Sequence, residues 1–150
     1  DPYMKNEQIF VVRGDSEYTS AADLAGKVID VQMDSSAQHA LDENQELAST
    51  FSEIRPVADY LTCLMELESG AVEAVAMDEV FASYYITQND KDFKILDDVI
   101  AEEQYAVGFK KGNTELRDQV NDTLKEMAAD GTMAEISEKW FGDDLTTIEA

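Results

Sequence analysis

The residues from Gly26 to Leu41, GKVIDVQMDSSAQHAL, combine a strand, a short polar turn and the start of a helix. Val28–Gln32 has the β-branched residues of a buried strand, and Ala37–Ser49 favours a helix. The turn between them, Met33–Ser36, is too short for any regular element. It therefore lies at a helix N-terminus, and the remaining segments are interpreted around this unit.

Two adjacent hydroxyl side chains, Ser35 and Ser36, lie in this turn. Backbone N–H groups in the first turn of a helix lack intrahelical acceptors and carry partial positive charge, so such a turn can receive an anion such as a carboxylate. A simpler interpretation is that Asp34, Ser35 or Ser36 only caps the helix. The turn alone leaves both interpretations open.

Length and composition predict one compact folded unit, because a chain of 150 residues with 44% apolar composition can bury a sizeable core. The 33 acidic and 11 basic residues give a formal charge of −22. This charge argues against nucleic-acid and anionic-membrane partners, although it is also compatible with solubility alone. The first residues, DPYMKNEQ, lack the pattern of a signal peptide, so we expect a mature, trimmed or cytosolic chain.

The chain has one cysteine, Cys63, and one histidine, His39. An intrachain disulfide and a Cys/His zinc cluster are therefore excluded, and no Cys–His nucleophile pair is predicted. Cys63 has apolar neighbours and is predicted to lie in the core, whereas His39 has polar neighbours and is predicted to be solvated. We expect no metal, no cofactor and no catalytic group.

Strand and helix signals alternate along the first part of the chain, which is typical of a mainly parallel sheet. A polar turn at Asp1–Tyr3 and an acidic linker at Asp97–Gln104 flank or interrupt the strands. The predicted strands are Gln8–Arg13, Val28–Gln32, Val72–Met77, Phe93–Leu96 and Tyr105–Phe109. Phe51–Arg55 is a short apolar stretch without an assigned element.

Helices are predicted between and after these strands from capping residues and apolar periodicity. Besides Ala37–Ser49 they comprise a short helix capped by Ser20 and Asp23 and stopped by Gly26, one from Pro56 to Gly70, one after Asp78 through Tyr85, one from Asn113 to Asp130, and one opened by a Thr132–Glu135 capping box and closed by Gly142. The last eight residues are expected to form a tail.

Two polar clusters follow predicted parallel strands: Asp34–Ser36 and Asp78. Ligands of open α/β sheets bind beyond the carboxyl ends of the strands. One cluster can bind a carboxylate, and the other supplies a carboxylate that can bind an ammonium group. Together they are complementary to a zwitterion, so an α-amino acid could place its carboxylate at Ser35 and Ser36 and its ammonium at Asp78. Taken alone, Asp78 could equally cap a helix that begins at Glu79.

Four segments resemble the solute-binding proteins of polar amino-acid ABC transporters. They are DLAGKVIDVQ at 23–32, LESGAVEAVAMDE at 67–79, YAVGFKKGNTELRDQVNDTLKEMAADGT at 105–132 and EKWFG at 138–142. Their order and spacing match the family over essentially the whole chain. The resemblance implies a periplasmic-binding-protein-like fold: two α/β lobes, joined by two hinge strands, that close on a ligand.

By this resemblance the chain looks like a fragment, since the family's first lobe begins upstream of Asp1. The implied organisation is a hinge segment and strand at 1–13, a second three-layer α/β lobe at 14–104, a return hinge strand at 105–112, two C-terminal helices of the first lobe at 113–142 and a tail at 143–150. Free amino acids would bind this chain no better than in the millimolar range, because half of the enclosing contacts would be missing.

The resemblance also implies roles for four residues and singles out a fifth, Asp34, as a departure from the family pattern. Ser35 and Ser36 match the Ser/Thr pair that faces the ligand carboxylate, Asp78 matches the acid that holds the ammonium, and Gln32 matches a position that can touch the ligand side chain. Asp34 departs from the usual glycine. An aspartate can adopt the left-handed conformation, but its charge would lie beside the ligand carboxylate unless the side chain turns away.

The function implied is extracytoplasmic capture of a polar amino acid, in the periplasm or as a surface lipoprotein, for delivery to a membrane-embedded ABC permease. Two alternatives are a small-acid dehydratase on the same fold, using a carboxyl group as general acid, and the sensing module of a receptor. An apolar face on the C-terminal helices further predicts a homodimer in which two copies cover each other. Its members are Leu116, Val120, Leu124, Met127, Met133, Ile136, Trp140 and Phe141.

Overall fold

A computed structural model describes residues 1–149 and divides them into two units. One unit is Glu7–Glu102, and the other joins Asp1–Asn6 to the residues from Glu103 onward. Strands β1 (Pro2–Arg13) and β5 (Phe93–Ala106) each have residues in both units. Two extended strands therefore connect the units.

Three further strands complete the sheet: β2 (Val28–Gln32), β3 (Glu53–Val57) and β4 (Ala74–Asp78). The strand order is β3-β2-β4-β1-β5. Strand β2 pairs in parallel with β3 and with β4, whereas β1 pairs antiparallel with β4. The predicted α/β class is confirmed. The sheet was predicted to be mainly parallel, and the structure shows a mixed sheet with parallel and antiparallel pairs.

Most helices begin and end at residues suited to these positions. In the Glu7–Glu102 unit they are a 3₁₀ turn (Ala21–Leu24), α1 (Ser36–Glu43), α2 (Gln45–Ala48), α3 (Tyr60–Ser69) and α4 (Glu79–Asn89). Asp59 caps α3 by accepting the Thr62 N–H, and Gly70 ends it with a φ of 78°. Helices α5 (Thr114–Ala129) and α6 (Thr132–Phe141) belong to the other unit. No helix in residues 1–149 has the length and apolar character needed to cross a bilayer.

Apolar side chains cover both faces of the sheet in the Glu7–Glu102 unit. Alternate residues of β1 point to opposite sides, so Phe10 joins one buried cluster and Ile9 the other. The first cluster includes Leu41 of α1, and the second includes Cys63 of α3. The three-layer arrangement and the buried position of Cys63 are thus confirmed, as is the exposure of His39.

The sequence predicts that a helix starts at Pro56, but the structure shows no helix there. Pro56 lies in β3 opposite Val31 of β2, and the next helix begins only at Tyr60. Strand β3 is at the edge of the sheet, where a missing backbone N–H can face away from the ladder. The prediction was wrong because proline is equally compatible with the first turn of a helix and with an edge strand.

The predicted acidic linker 97–104 is part of β5, which runs without a break from Phe93 to Ala106. Charged residues are acceptable here because β5 is the other edge strand, with side chains that reach solvent. Val107–Phe109 lies outside the strand. Similarly, the polar turn expected at Asp1–Tyr3 is replaced by the start of β1 at Pro2.

Two helix predictions also need correction. The helix expected over 37–49 breaks at Asn44, whose side chain accepts the Leu47 N–H and caps the separate helix α2. The Thr132–Glu135 capping box is not formed, because Gly131 occupies the N-cap position and Thr132 is already helical. Asp130 instead accepts the Thr132 N–H at 2.9 Å.

The residues expected as a tail make specific contacts within their own unit. Leu145 is 1% exposed and its carbonyl accepts the Lys5 N–H at 2.9 Å. The Thr147 N–H donates to the carbonyl of Tyr3 at 3.0 Å. Buried apolar surface and backbone bonds therefore order the segment after α6, contrary to the description of it as a tail.

Candidate functional site

Gln32 and Asp34 lie where β2 gives way to α1. Gln32 is half-buried at the end of the strand, and the following residue, Met33, donates its N–H to the carbonyl of Val57 at 2.8 Å. Asp34 is exposed and has a φ of 59°, in the left-handed region. The turn thus has the backbone conformation that glycine favours, and the aspartate adopts it.

Ser35 occupies the N-cap position of α1. Its backbone is extended, and its hydroxyl accepts the Gln38 N–H at 3.2 Å. The Gln38 side chain in turn accepts the Asp34 N–H at 2.7 Å. Ser36 is the first helical residue and is exposed. The capping interpretation is confirmed for Ser35, and binding of an anion at this turn stays a prediction.

Asp78 ends β4 and precedes α4, but its carboxylate makes no capping hydrogen bond to that helix. Gln8 donates its side-chain amide N–H to Oδ1 at 2.7 Å, and the hydroxyl of Tyr60 donates to Oδ2 at 3.1 Å. Gln8 lies directly opposite Asp78 in the antiparallel pairing of β1 with β4. Two donors from different elements therefore fix the orientation of the carboxylate.

Tyr60 supports Asp78, one of the two polar clusters that the sequence singled out. Burial and the neighbouring Asp78 carboxylate raise the pKa of its phenol. The phenol therefore stays neutral and can donate at physiological pH. Strands β2 and β4 are adjacent and parallel, with Val31 opposite Ala76, so the turn that follows β2 and the Asp78 carboxylate at the end of β4 lie at the same edge of the sheet.

An aromatic cluster supports the Tyr60 ring. Its centroid lies 5.1 Å from that of Phe81, which stacks on Tyr85 with a centroid distance of 6.3 Å. Phe81 and Tyr85 are both on α4, the helix that follows Asp78. The cluster thus packs the start of α3 against α4, the helix that follows the Asp78 carboxylate.

Gln8 and Tyr60 were not predicted as site residues. Gln8 is fully buried in a strand of otherwise apolar residues, and a buried amide requires a polar partner. A polar residue in an apolar strand therefore indicates a buried hydrogen bond. The sequence does not reveal the strand register that makes Asp78 the partner. Tyr60 was not recognised because the predicted helix began at Pro56. In that prediction Tyr60 lies within the helix, whereas in the structure it is the first residue of α3.

The arrangement offers polar groups that are complementary to a zwitterion. Residues 1–149 contain no group of three acidic, histidine or cysteine side chains positioned to hold an ion. A fixed carboxylate beside a helix N-terminus offers an acceptor for an ammonium group and donors for a carboxylate. A cavity of about 520 Å³ in the same unit lies elsewhere and is lined by none of the five predicted site residues.

Comparison with known proteins identifies related chains. The cystine-binding protein TcyA of Bacillus subtilis is 31% identical over 149 residues, covering 97% of this chain and 53% of that protein. A crystallised ABC-transporter substrate-binding protein of Streptococcus pneumoniae with bound histidine is 31% identical, with a TM-score of 0.79 over 99% of this chain and 62% of that one. A polar amino-acid transporter protein of Streptococcus thermophilus gives a TM-score of 0.80 at 29% identity, over 98% of this chain and 58% of that one.

The chain spans about half the length of the curated relatives it matches. The family model of bacterial extracellular solute-binding proteins, family 3, matches residues 1–143, which is nearly the whole sequence. The five-stranded mixed sheet flanked by helices agrees with the fold that the resemblance implied. The chain belongs to the bacterial extracellular solute-binding proteins of family 3.

Proposed function

We propose that this protein captures a polar amino acid outside the cytoplasm and delivers it to a membrane-embedded ABC importer, without converting it chemically. The observation that carries the proposal is that the turn with Ser35 and Ser36 and the fixed Asp78 carboxylate follow two adjacent parallel strands, β2 and β4. A candidate partner for a ligand carboxylate and a candidate partner for a ligand ammonium group therefore lie at the same edge of the sheet. Relatives named for binding L-cystine and a relative crystallised with histidine support the same ligand class.

Each group of the ligand has a candidate partner in the proposed site. The α-ammonium lies against the Asp78 carboxylate, and the α-carboxylate lies at the N-terminus of α1, with Ser35 and Ser36. Gln32 contacts the side chain of the ligand. Asp34 turns its carboxylate into solvent, consistent with its exposed position, so that its charge is screened from the ligand carboxylate.

Ligand capture is preferred over a dehydratase because the family is one of solute-binding proteins. We propose that the protein acts in the periplasm or as a surface lipoprotein. In this proposal the residues of the Glu7–Glu102 unit form the second lobe, and the two extended strands β1 and β5 act as hinges. Helices α5 and α6 then belong to the first lobe.

Substitution of Asp78 tests the proposal. Hydrogen bonds to a charged group are worth about 1.5–3 kcal/mol, so we expect Asp78→Asn to weaken amino-acid binding about ten- to hundredfold. NMR titration suits this chain because it measures millimolar affinities, and the probes are L-arginine, L-histidine and L-glutamine. Ser35→Ala combined with Ser36→Ala is expected to weaken binding by a similar factor.

Asp42→Asn is the matched control, since Asp42 is an exposed acid of α1 in the same unit and the chemical change is identical. It should leave the affinity unchanged. Unchanged affinities in the Asp78 and Ser35/Ser36 variants would refute the site. Recovery of a chemically altered probe after incubation would favour the enzyme alternative over capture.

A further inference from the structure

We infer that Tyr60 is a positioning residue of the proposed amino-acid site, whose hydroxyl orients the Asp78 carboxylate. The inference rests on the proposed function and adds to it a residue outside the predicted set.

The hydroxyl of Tyr60 holds one oxygen of Asp78, at 3.1 Å, while Gln8 holds the other at 2.7 Å. A carboxylate with a donor on each oxygen cannot rotate without breaking a hydrogen bond. The remaining lone pairs of both oxygens then point in fixed directions, and a ligand ammonium meets an acceptor that is already oriented.

The phenol ring is itself held by its surroundings. Phe81 packs against it at a centroid distance of 5.1 Å, and Asp59 caps the helix that begins at Tyr60. The position of the hydroxyl is thus set by two features that do not include the ligand. The direction of the hydrogen bond is also fixed, because a neutral phenol donates its O–H to a carboxylate oxygen.

Tyr60→Phe removes the hydroxyl and keeps the ring, so the aromatic packing is retained. We expect the affinity for L-arginine, L-histidine or L-glutamine to fall about three- to tenfold, the range for one neutral donor. Tyr85→Phe is the matched control, since it removes a phenol hydroxyl from the same aromatic cluster, and it should change the affinity less than about twofold.

A second measurement separates positioning from a merely structural effect. If Tyr60 acts through Asp78, adding Tyr60→Phe to Asp78→Asn should cause no further loss of affinity. An equal loss in both backgrounds would mean that Tyr60 acts independently of Asp78, which overturns the inference.

A ligand-free readout covers the case in which Asp78→Asn binds too weakly to measure. The ¹³C resonance of the Asp78 carboxyl group should shift in Tyr60→Phe and stay unchanged in Tyr85→Phe. An unchanged resonance in Tyr60→Phe would overturn the inference. The proposed function fails separately, if no probe binds or if Asp78→Asn binds as well as the wild type.

Discussion

At the scale of single residues, Asp30 is the charged group most fully removed from water in the Glu7–Glu102 unit. It lies in the middle of β2 and is 0% exposed. Arg55 of β3 approaches it, with Nε 3.1 Å from Oδ1, and Arg55 also contacts Glu66 of α3. Burial raises the pKa of the Asp30 carboxyl, and the Arg55 charge only partly opposes this effect.

A raised pKa makes stability depend on pH with a defined sign. The folded chain holds the Asp30 proton to higher pH than the unfolded chain, whose carboxyl titrates near its ordinary value of 3.8. The free energy of unfolding contributed by this group is therefore fully present below pH 3.8 and is lost as pH rises through the folded pKa.

We therefore expect wild type to lose stability relative to Asp30→Asn as pH rises above 3.8, since the amide cannot ionise. Urea unfolding of both proteins over a series of pH values measures the difference. If wild type instead gained stability relative to the variant with rising pH, the pairing with Arg55 would outweigh the cost of burial.

The predicted site residues show what can be inferred from residue types alone. Ser35 and Asp78 were predicted as site residues because short polar clusters at strand ends are visible in a sequence. Gln8 and Tyr60 were not, because their contacts with Asp78 depend on which strands pair and where α3 begins. Periodicity does not contain this information, since it specifies the face of an element and not its neighbours.

At the scale of elements, α3 ends at Gly70 in a left-handed backbone conformation. Its φ of 78° is disfavoured for residues with a Cβ atom, yet a Cβ atom there would contact only the end of the Arg13 side chain, at 3.9 Å. Gly70→Ala should therefore destabilise the protein by about 1 kcal/mol, through backbone strain and not through a clash.

Thermal or urea unfolding measures this change. Gly108→Ala is the control, because Gly108 has no positive φ and a Cβ atom there would have no neighbour within 4 Å. The control should be neutral or slightly stabilising, since alanine restricts the unfolded chain. Equal effects at the two glycines would contradict the strain argument.

The elements most accurately predicted were those with strong local signals. Val28–Gln32 has identical bounds in sequence and structure, and Gly70 and Gly142 both end helices in the left-handed conformation. The errors at Pro56 and at 97–104 both fall on edge strands. Proline and acidic residues are unfavourable within a central strand but acceptable at an edge, and edge position is decided by the topology.

At the scale of the whole molecule, the apolar face of α5 and α6 remains partly uncovered. Leu116, Ile136 and Trp140 are 46%, 44% and 42% exposed. None of the eight residues assigned to this face is buried. Exposed apolar residues on adjacent helices favour association, so we propose that two copies of this chain cover each other through this face.

Light scattering after size exclusion is expected to give the mass of a dimer, and Ile136→Lys should shift it to that of a monomer. Met65→Lys is the control, since Met65 is 66% exposed on α3 and lies outside the proposed interface. A wild-type monomer with protected amides across Leu116–Trp140 would contradict the dimer.

The ends of β2 and β4 are proposed to form one binding site for an amino acid. The most direct test is a series of ¹H–¹⁵N correlation spectra of the chain, recorded while L-arginine, L-histidine or L-glutamine is added. We expect at least one of the three to bind in the millimolar range and to move mainly the amides of Gln32–Ser36, Tyr60 and Asp78. Spectra that stay unchanged with all three, or whose largest shifts lie elsewhere in the chain, would contradict the account.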